Sequence, residues 1–326
     1  MIRARITGTG SYTPPTVMTN ADFEKIVDTS DEWIVTRTGI SERHIAGDDI
    51  SSADMAIKAS ERALESAGLT HEDIDLVICG TVTPDYKLPS NACVVQEKLG
   101  FPNAVAFDVV SACTGFINGL SIANSLIATG QNRRALVIGT EKLSSFTNYE
   151  DRNTCVLFGD AAGAAVVEAC DDGRGVLSSF MKSDGSLRPL LWSKVGGSRY
   201  PYPRDFAFDG SDKILMNGSD IFKVAVRAMS KAAKEVISIA GLTIDDIALI
   251  VPHQANIRII DAVAKRLGVG RDRMFINIEK YGNTSSASVP LALDEASRSG
   301  RIKDGDHVVM VAFGGGLIWG ATLVKW

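Results

Sequence analysis

No run of apolar residues in this chain approaches the ~20 needed to cross a bilayer. The basic N-terminus, MIRARITGTGSY, also lacks the roughly 7–15-residue apolar stretch of a secretory signal. Cysteine is scarce and irregular: five residues, at 79, 93, 113, 155 and 170, with no CxxC and none in the second half. That pattern argues against a disulfide framework and a zinc knuckle, and for a reducing compartment. Excess positive charge is missing too. Lys plus Arg number 34 against 39 acidic residues, a net charge of −5, so neither nucleic acid nor an anionic membrane is favoured as a partner. There is no GxxxxGK(S/T) phosphate loop, and Gly8-Thr9-Gly10 is only half of a dinucleotide fingerprint. A soluble, cytoplasmic protein without a bound metal is expected.

Hydrophobic residues make up 45% and charged residues 22%, a globular balance. At 326 residues the chain can form one large or two medium folding units, with a full core that needs no staples. The pattern within it repeats once. Residues 67–78 read AGLTHEDIDLVI and residues 240–251 read AGLTIDDIALIV, an offset of 173. Each follows an amphipathic helix, expected over 56–66 and 222–239. Each supplies a Gly helix stop and then a Thr N-cap for an acidic turn. KLGFPNAVAFDVV (98–110) matches RLGVGRDRMFINI (266–278) at an offset of 168, and RALVIG (134–139) matches HVVMVA (307–312). Apolar runs such as LVICG and VVMVAF read as central strands covered on both faces. The expected class is α/β with layered sheets, in two similar halves, 1–171 and 172–326. A Gly/Pro/aromatic loop region is predicted over 171–215, between the halves.

Three polar residues fall near strand ends. Cys113 follows the strand AVAFDVV and opens a helix, where the macrodipole favours a thiolate; a small buried packing cysteine is the plainer alternative. His253 ends the strand IALIVPH and enters a helix, a position suited to chemistry in an α/β crevice, or to a cap or core role. Asn283, in NIEKYGNTSSASVP, corresponds to position 115 at the 168 offset, two residues from Cys113, so a pseudo-twofold axis would bring both strand ends to one site. It can equally serve as a helix N-cap. The run FGGGLIWG (313–320) offers backbone N–H groups to a ligand. The amides of Cys113 and Gly315 are candidates for an oxyanion hole, with a tight turn as the alternative.

Taken together, DTSDEWIVTRTGI (28–40), SACTGF (111–116), FGDAAGA (158–164), PHQAN (252–256), YGNTSSASVP (281–290) and FGGG (313–316) closely resemble the β-ketoacyl-acyl-carrier-protein synthase III family, over nearly the whole chain. The resemblance implies a thiolase-like fold, with two similar halves in a five-layered α-β-α-β-α structure, normally a homodimer. It implies an acyltransferase that initiates fatty acid synthesis by decarboxylative Claisen condensation of an acyl-CoA starter with malonyl-acyl-carrier protein. Coenzyme A and the carrier protein would be substrate and partner, and no cofactor would be permanently bound. Cys113 matches the acyl-accepting nucleophile, and His253 and Asn283 the pair that handles malonyl decarboxylation. Trp33, Arg37 and Arg152 match residues that hold the adenine end of coenzyme A, and Asn256 a pantetheine contact. Lys223, Arg258, Lys265 and Arg266 match the carrier-protein docking surface. Helical spacing supports this last set. Ile260, Val263, Ala264 and Leu267 form an apolar stripe, with Arg258, Lys265 and Arg266 on the other side.

Losing CO2 creates the carbanion directly, so the second half-reaction needs no carboxylate base at the α-carbon. It needs hydrogen-bond donors to an enolate oxygen, which a neutral imidazole and a carboxamide both supply. Elongating relatives use two histidines with the cysteine, thiolases bring a second cysteine where this chain has FGGG, and acyl-transferring relatives tend to carry Asp at 283. The Cys-His-Asn set therefore favours condensation. Type III polyketide synthases share it but are generally longer and have a different C-terminal glycine motif. A synthase III-like enzyme of secondary metabolism, and a non-condensing acyl-CoA-binding protein, are the alternatives. Leu88 matches a position that limits the acyl channel, often as an aromatic, so a longer or branched starter is expected. The segment WSKVGGSRYPYPRDF (192–206) departs from the shortest family members and bears on substrate entry.

Overall fold

The computed structural model describes residues 1–202 and 210–326, so residues 203–206 of the segment just named lie outside the described residues. Two mixed sheets form its frame. In the first, the strands Arg3–Tyr12, Ala161–Cys170, Arg134–Glu141, Leu76–Gly80 and Val105–Val109 lie side by side in that order. In the second the order is Gly175–Ser183, Ile318–Lys325, His307–Gly314 and Leu249–Pro252. Leu76–Gly80 runs parallel to both its neighbours and is buried along its whole length, as expected of a strand covered on both faces.

Two helices fill the space between the sheets, and others cover the outside. Gly115–Ala128 and Ser288–Arg298 contact strands of both sheets. Ser52–Ala67 packs on the outer face of the first sheet, and Gly218–Ile239 on that of the second. The layers therefore run α-β-α-β-α. Gly115–Ala128 suits the central layer because Phe116, Ile117, Leu120, Ala123 and Ile127 leave it apolar almost all round. Its first turn meets the end of Leu76–Gly80 at backbone distance: a Cβ on Gly80 would lie 2.7 Å from Gly115 Cα. Only glycine permits that approach.

The repeat is real, but its register changes along the chain. Gly68 and Gly241 both end their helices at φ near 70°, and Thr70 and Thr243 cap the acidic turns through Asp73 and Asp246. Both helices start earlier than their apolar periodicity, at Ser52 and Gly218, because Ser51 and Asn217 cap them. The offset of 168 holds at the helix stops Gly100 and Gly268. Beyond them, a strand predicted over the second copy does not form. Met274 makes one bridge to Ile250, then Asn277 N–H turns to Gln254 Oε1 and the helix Ile278–Tyr281 begins. That helix restores the offset to 173, so the 3-10 turns Ala112–Thr114 and Ser285–Ala287 are the true equivalents. Asn283 thus corresponds to Val110, not to position 115.

The segment predicted as a loop over 171–215 contains the edge strand Gly175–Ser183, antiparallel to Ile318–Lys325. Ser178 and Ser179 interrupt its apolar pattern because their hydroxyls are used inside, on Val236 O and Thr322 Oγ1. Among the described residues no helix is long and apolar enough to cross a membrane, and no cluster of three His, Cys, Asp or Glu is arranged to hold a metal.

Candidate active site

His253 stands where the edge strand Leu249–Pro252 ends, Cys113 in the 3-10 turn beyond the edge strand Val105–Val109, and Asn283 just beyond the helix Ile278–Tyr281. Cys113 lies in the turn that opens Gly115–Ala128, just after Ala112, whose φ of +46° is unusual for a residue with a side chain. Strain of this kind is held only where the surroundings enforce it. His253 follows the last residue of Leu249–Pro252, with its N–H bonded to Val311 O at 2.8 Å. Asn283 is tied at both backbone groups to the first half, by N–H to Leu157 O and by its carbonyl to Gly159 N–H. Folding brings all three to the wall of one cavity of about 810 Å³, which reaches the surface at Trp33, Arg37 and Arg258. A second chamber of about 300 Å³ shares Cys113 and Asn283 and continues among Leu143, Phe146, Phe158, Trp192 and Ile214. The site is therefore a polar-mouthed tunnel that passes a thiol and ends in an apolar pocket.

Burial sets the electrostatics. The Cys113 thiol is pushed up to about 12, mainly because desolvation disfavours the thiolate. Burial thus acts on this thiol against the helix terminus that the sequence places beside it. Burial also pulls His253 down to about 3, so the imidazole is neutral. Among the described residues its Nδ1 is enclosed without a hydrogen-bond partner. The Asn283 amide is oriented. Ser285 N–H donates to its Oδ1 at 2.9 Å, which leaves the NH2 as the group to offer a ligand. The helix N-cap role weighed for Asn283 is not what this bond provides: Thr284 and Ala287 hold the N-cap positions of the two helical segments that follow.

The other predicted residues divide. Arg37 and Arg152 flank the Trp33 indole, with guanidinium carbons 5.9 and 5.7 Å from the ring centroid, a surface suited to a planar anionic group. Arg152 is also held by the Asp28 carbonyl and carboxylate. Asn256 lines the tunnel, but its amide already caps Ile257–Leu267 through Arg258 N–H and donates to Arg37 O. Lys223 and Arg258 stand at the tunnel mouth, while Lys265 and Arg266 lie farther along the same helix face, exposed. Gly315 lines the apolar chamber beside Cys113. Leu88 lines neither cavity of its own chain; it is 87% exposed.

One group was missed by sequence reasoning. Glu141, which ends the strand Arg134–Glu141, is fully buried and accepts hydrogen bonds from Val82 N–H and from the hydroxyls of Thr81, Thr83, Ser285 and Ser286. An acidic residue closing a central apolar strand was the available signal.

Comparison with known proteins shows the family and the fold. Residues 107–185 match the family model described as 3-oxoacyl-[acyl-carrier-protein (ACP)] synthase III, and residues 237–326 match the model of its C-terminal part. The chain is 52% identical over 325 residues to the beta-ketoacyl-[acyl-carrier-protein] synthase III of Caldanaerobacter subterraneus subsp. tengcongensis, covering 100% of this chain and 98% of that one. It superimposes on the crystal structure of 3-oxoacyl-[acyl-carrier-protein] synthase III from Aquifex aeolicus with a TM-score of 0.93 at 47% identity, covering 99% and 100% of the two chains. The corresponding structure from Thermus thermophilus gives 0.93 at 45% identity, covering 99% of each.

Proposed function

This chain belongs to the β-ketoacyl-[acyl-carrier-protein] synthase III family, and on that footing we propose that Cys113, His253 and Asn283 are its reactive groups. The reaction is the condensation of acyl-CoA with malonyl-acyl-carrier protein that initiates fatty acid synthesis. The observation that carries the assignment is the common wall: one tunnel passes Trp33, then His253 and Asn283, and reaches Cys113.

In the first half-reaction, the CoA moiety lies with its adenine end at Trp33, Arg37 and Arg152 and its pantetheine arm past Asn256. The Cys113 sulfur attacks the thioester carbonyl, and the amides of Cys113 and Gly315 receive the oxyanion. The carbonyl's bond to the CoA sulfur breaks, CoA leaves as the thiol with the proton that Cys113 gives up, and the acyl chain stays in the apolar chamber. In the second, malonyl-carrier protein docks at Lys223, Arg258, Lys265 and Arg266 and loses CO2. The neutral His253 ring and the Asn283 NH2 donate to the enolate oxygen, and the enolate carbon attacks the acyl-cysteine. The thioester C–S bond breaks, and the released Cys113 thiolate takes a proton from solvent. Burial serves this step. An imidazole held neutral keeps a donor without adding a charge that would hold back the malonyl carboxylate. No resident cofactor takes part in this scheme.

The division into units 1–171 and 172–326, a cytoplasmic location and a homodimer belong to the same proposal. The strand Val105–Val109 is an unpaired sheet edge, with Val105 and Val110 exposed beside it, and a second copy is the natural cover for such an edge. Leu88 keeps its acyl-channel role only if that second copy carries it to the channel. The test is paired. Cys113→Ala must abolish the acyl mass shift on mixing with acyl-CoA, whereas Asn283→Ala must keep it and lose condensation. Acyl-CoA binding with no labelled CO2 released from malonyl thioester would overturn the scheme.

A further inference from the structure

Condensation needs the NH2 face of Asn283. A carboxamide turned over about its last bond would present an oxygen to the enolate oxygen instead. Among the described residues one hydrogen bond sets that face, from Ser285 N–H to Asn283 Oδ1 at 2.9 Å. A backbone N–H can only donate, so it selects the amide oxygen and leaves the NH2 free. The orientation of Asn283 therefore depends on the placement of Ser285. That residue has a φ of +49°, a conformation that persists only where the surroundings over-determine it.

Glu141 reaches this turn from the other half of the chain. It ends the strand Arg134–Glu141, and its Oε1 accepts the Ser285 hydroxyl at 3.1 Å and the Ser286 hydroxyl at 3.0 Å. Ser286 Oγ also lies 2.7 Å from Gly80 O, at the end of the neighbouring strand. The other carboxyl oxygen, Oε2, is fixed by the hydroxyls of Thr83 at 2.7 Å and Thr81 at 3.3 Å and by Val82 N–H at 3.1 Å. The carboxyl group is thus a brace between the segment after Leu76–Gly80 and the Ser285 turn. Stability alone does not account for it. Glu141 is fully buried, its hydrogen-bond donors are all neutral, and burial pushes its carboxyl up. Such a group costs more to bury than an apolar side chain. Among the described residues none of its hydrogen bonds goes to the Ala112–Thr114 turn that carries the nucleophile. We propose that Glu141 is a positioning residue for the second half-reaction, bracing the Ser285–Ser286 turn so that Ser285 N–H holds the Asn283 NH2 toward the enolate oxygen. The first half-reaction does not draw on this brace.

This inference rests on Asn283 donating to the enolate. The experiment measures two rates in the wild type, Glu141→Ala, Glu141→Gln, the double variant Ser285→Ala/Ser286→Ala, and Asn283→Ala. The first is self-acylation of Cys113 by acetyl-CoA, read by intact mass; the second is release of labelled CO2 from malonyl-carrier protein by the acylated enzyme. An acetyl group is short, so its transfer does not depend on the chamber wall at Val82. A merely structural defect lowers both rates together through the folded fraction, which the amplitude of the mass shift reports. Glu141→Ala and the double serine variant are expected to self-acylate within about threefold of the wild type and to lose CO2 release by roughly 100-fold, the cost of misplacing a reacting group on the ångström scale. Glu141→Gln is expected to restore most of that release. Its carbonyl oxygen can serve Val82 N–H and the two threonines, while its NH2 meets two serine hydroxyls that can turn to accept. CO2 release that survives in Glu141→Ala, or that falls in step with self-acylation, overturns the brace. So does a Gln variant as impaired as the Ala variant, which would assign the effect to charge. If Glu141→Ala does not fold, the double serine variant decides by the same two rates. CO2 release that survives in Asn283→Ala would instead overturn the assignment of Asn283.

Discussion

Gly314→Ala probes how closely the two halves are held around the nucleophile. The backbone at 314 does not have the positive φ that would itself forbid alanine. The obstacle is space. A Cβ there would lie 2.7 Å from Cys113 N, 3.1 Å from Cys113 Cβ and 3.2 Å from Ala112 Cβ, where ordinary contact begins at 3.4 Å. The 314 strand end or the Cys113 turn must therefore retreat by about 0.7 Å. The neighbours are backbone and short side chains, so no flexible group absorbs the shift. The strand His307–Gly314 is a buried central strand, and the turn carrying the strained Ala112 is the softer partner. Overpacking of this size costs about 1–3 kcal/mol of stability. Misplacing a nucleophile by a substantial fraction of an ångström costs up to roughly 100-fold in rate. Denaturant unfolding should therefore show a modest loss, while single-turnover acylation by acyl-CoA falls about 30- to 100-fold. Acylation within threefold of the wild type would mean that the Cys113 turn does not bear on Gly314, and the packing argument would fail.

The neutral His253 makes a signed prediction. Its folded pKa, about 3, lies below the unfolded value of 6.5, so the unfolded chain binds the proton first. Its contribution to stability is complete above pH 6.5 and is lost as pH falls toward 3, by up to about 1.4 kcal/mol per pH unit. The unfolding free energy of the wild type should accordingly drop relative to His253→Asn between pH 6.5 and 4.5; parallel curves would show that the ring is already charged or solvated. Leu88→Phe should lower kcat/KM for long or branched acyl-CoA relative to acetyl-CoA, since an exposed residue can affect chain length only by entering another copy's channel. An unchanged acyl profile, or a wild type whose kcat/KM peaks at acetyl-CoA and falls steeply with length, removes Leu88 from that role.

Much of this organisation was legible in the sequence because it is written in local signals. The AGLT pairs mark helix stops and caps through glycine conformation and side-chain capping, which are local and survive divergence. Buried central strands such as Leu76–Gly80 announce themselves as short apolar runs. The edge strand Gly175–Ser183 did not, since its serines make interior hydrogen bonds that look like loop polarity. The register of the repeat failed at Met274 because a four-residue helix entered where a strand was expected, and no local pattern records the insertion. Cys113, His253 and Asn283 could be picked by motif, yet the ionisation of Cys113 could not. Helix-terminus position is visible in sequence, whereas the burial that opposes it is not. Glu141 left only its place at the end of an apolar strand as a signal, for a related reason: its partners lie 58–60 and 144–145 residues away.

The most direct measurement is peptide-mapped mass spectrometry of the intact protein after mixing with acyl-CoA. One acyl group should appear on the peptide containing Cys113 and on none containing Cys79, Cys93, Cys155 or Cys170, and it should disappear on addition of malonyl-carrier protein as CO2 is released in equal amount. Product and CO2 formed with Cys113 unmodified throughout, or an acyl group carried by another cysteine, would contradict the assignment.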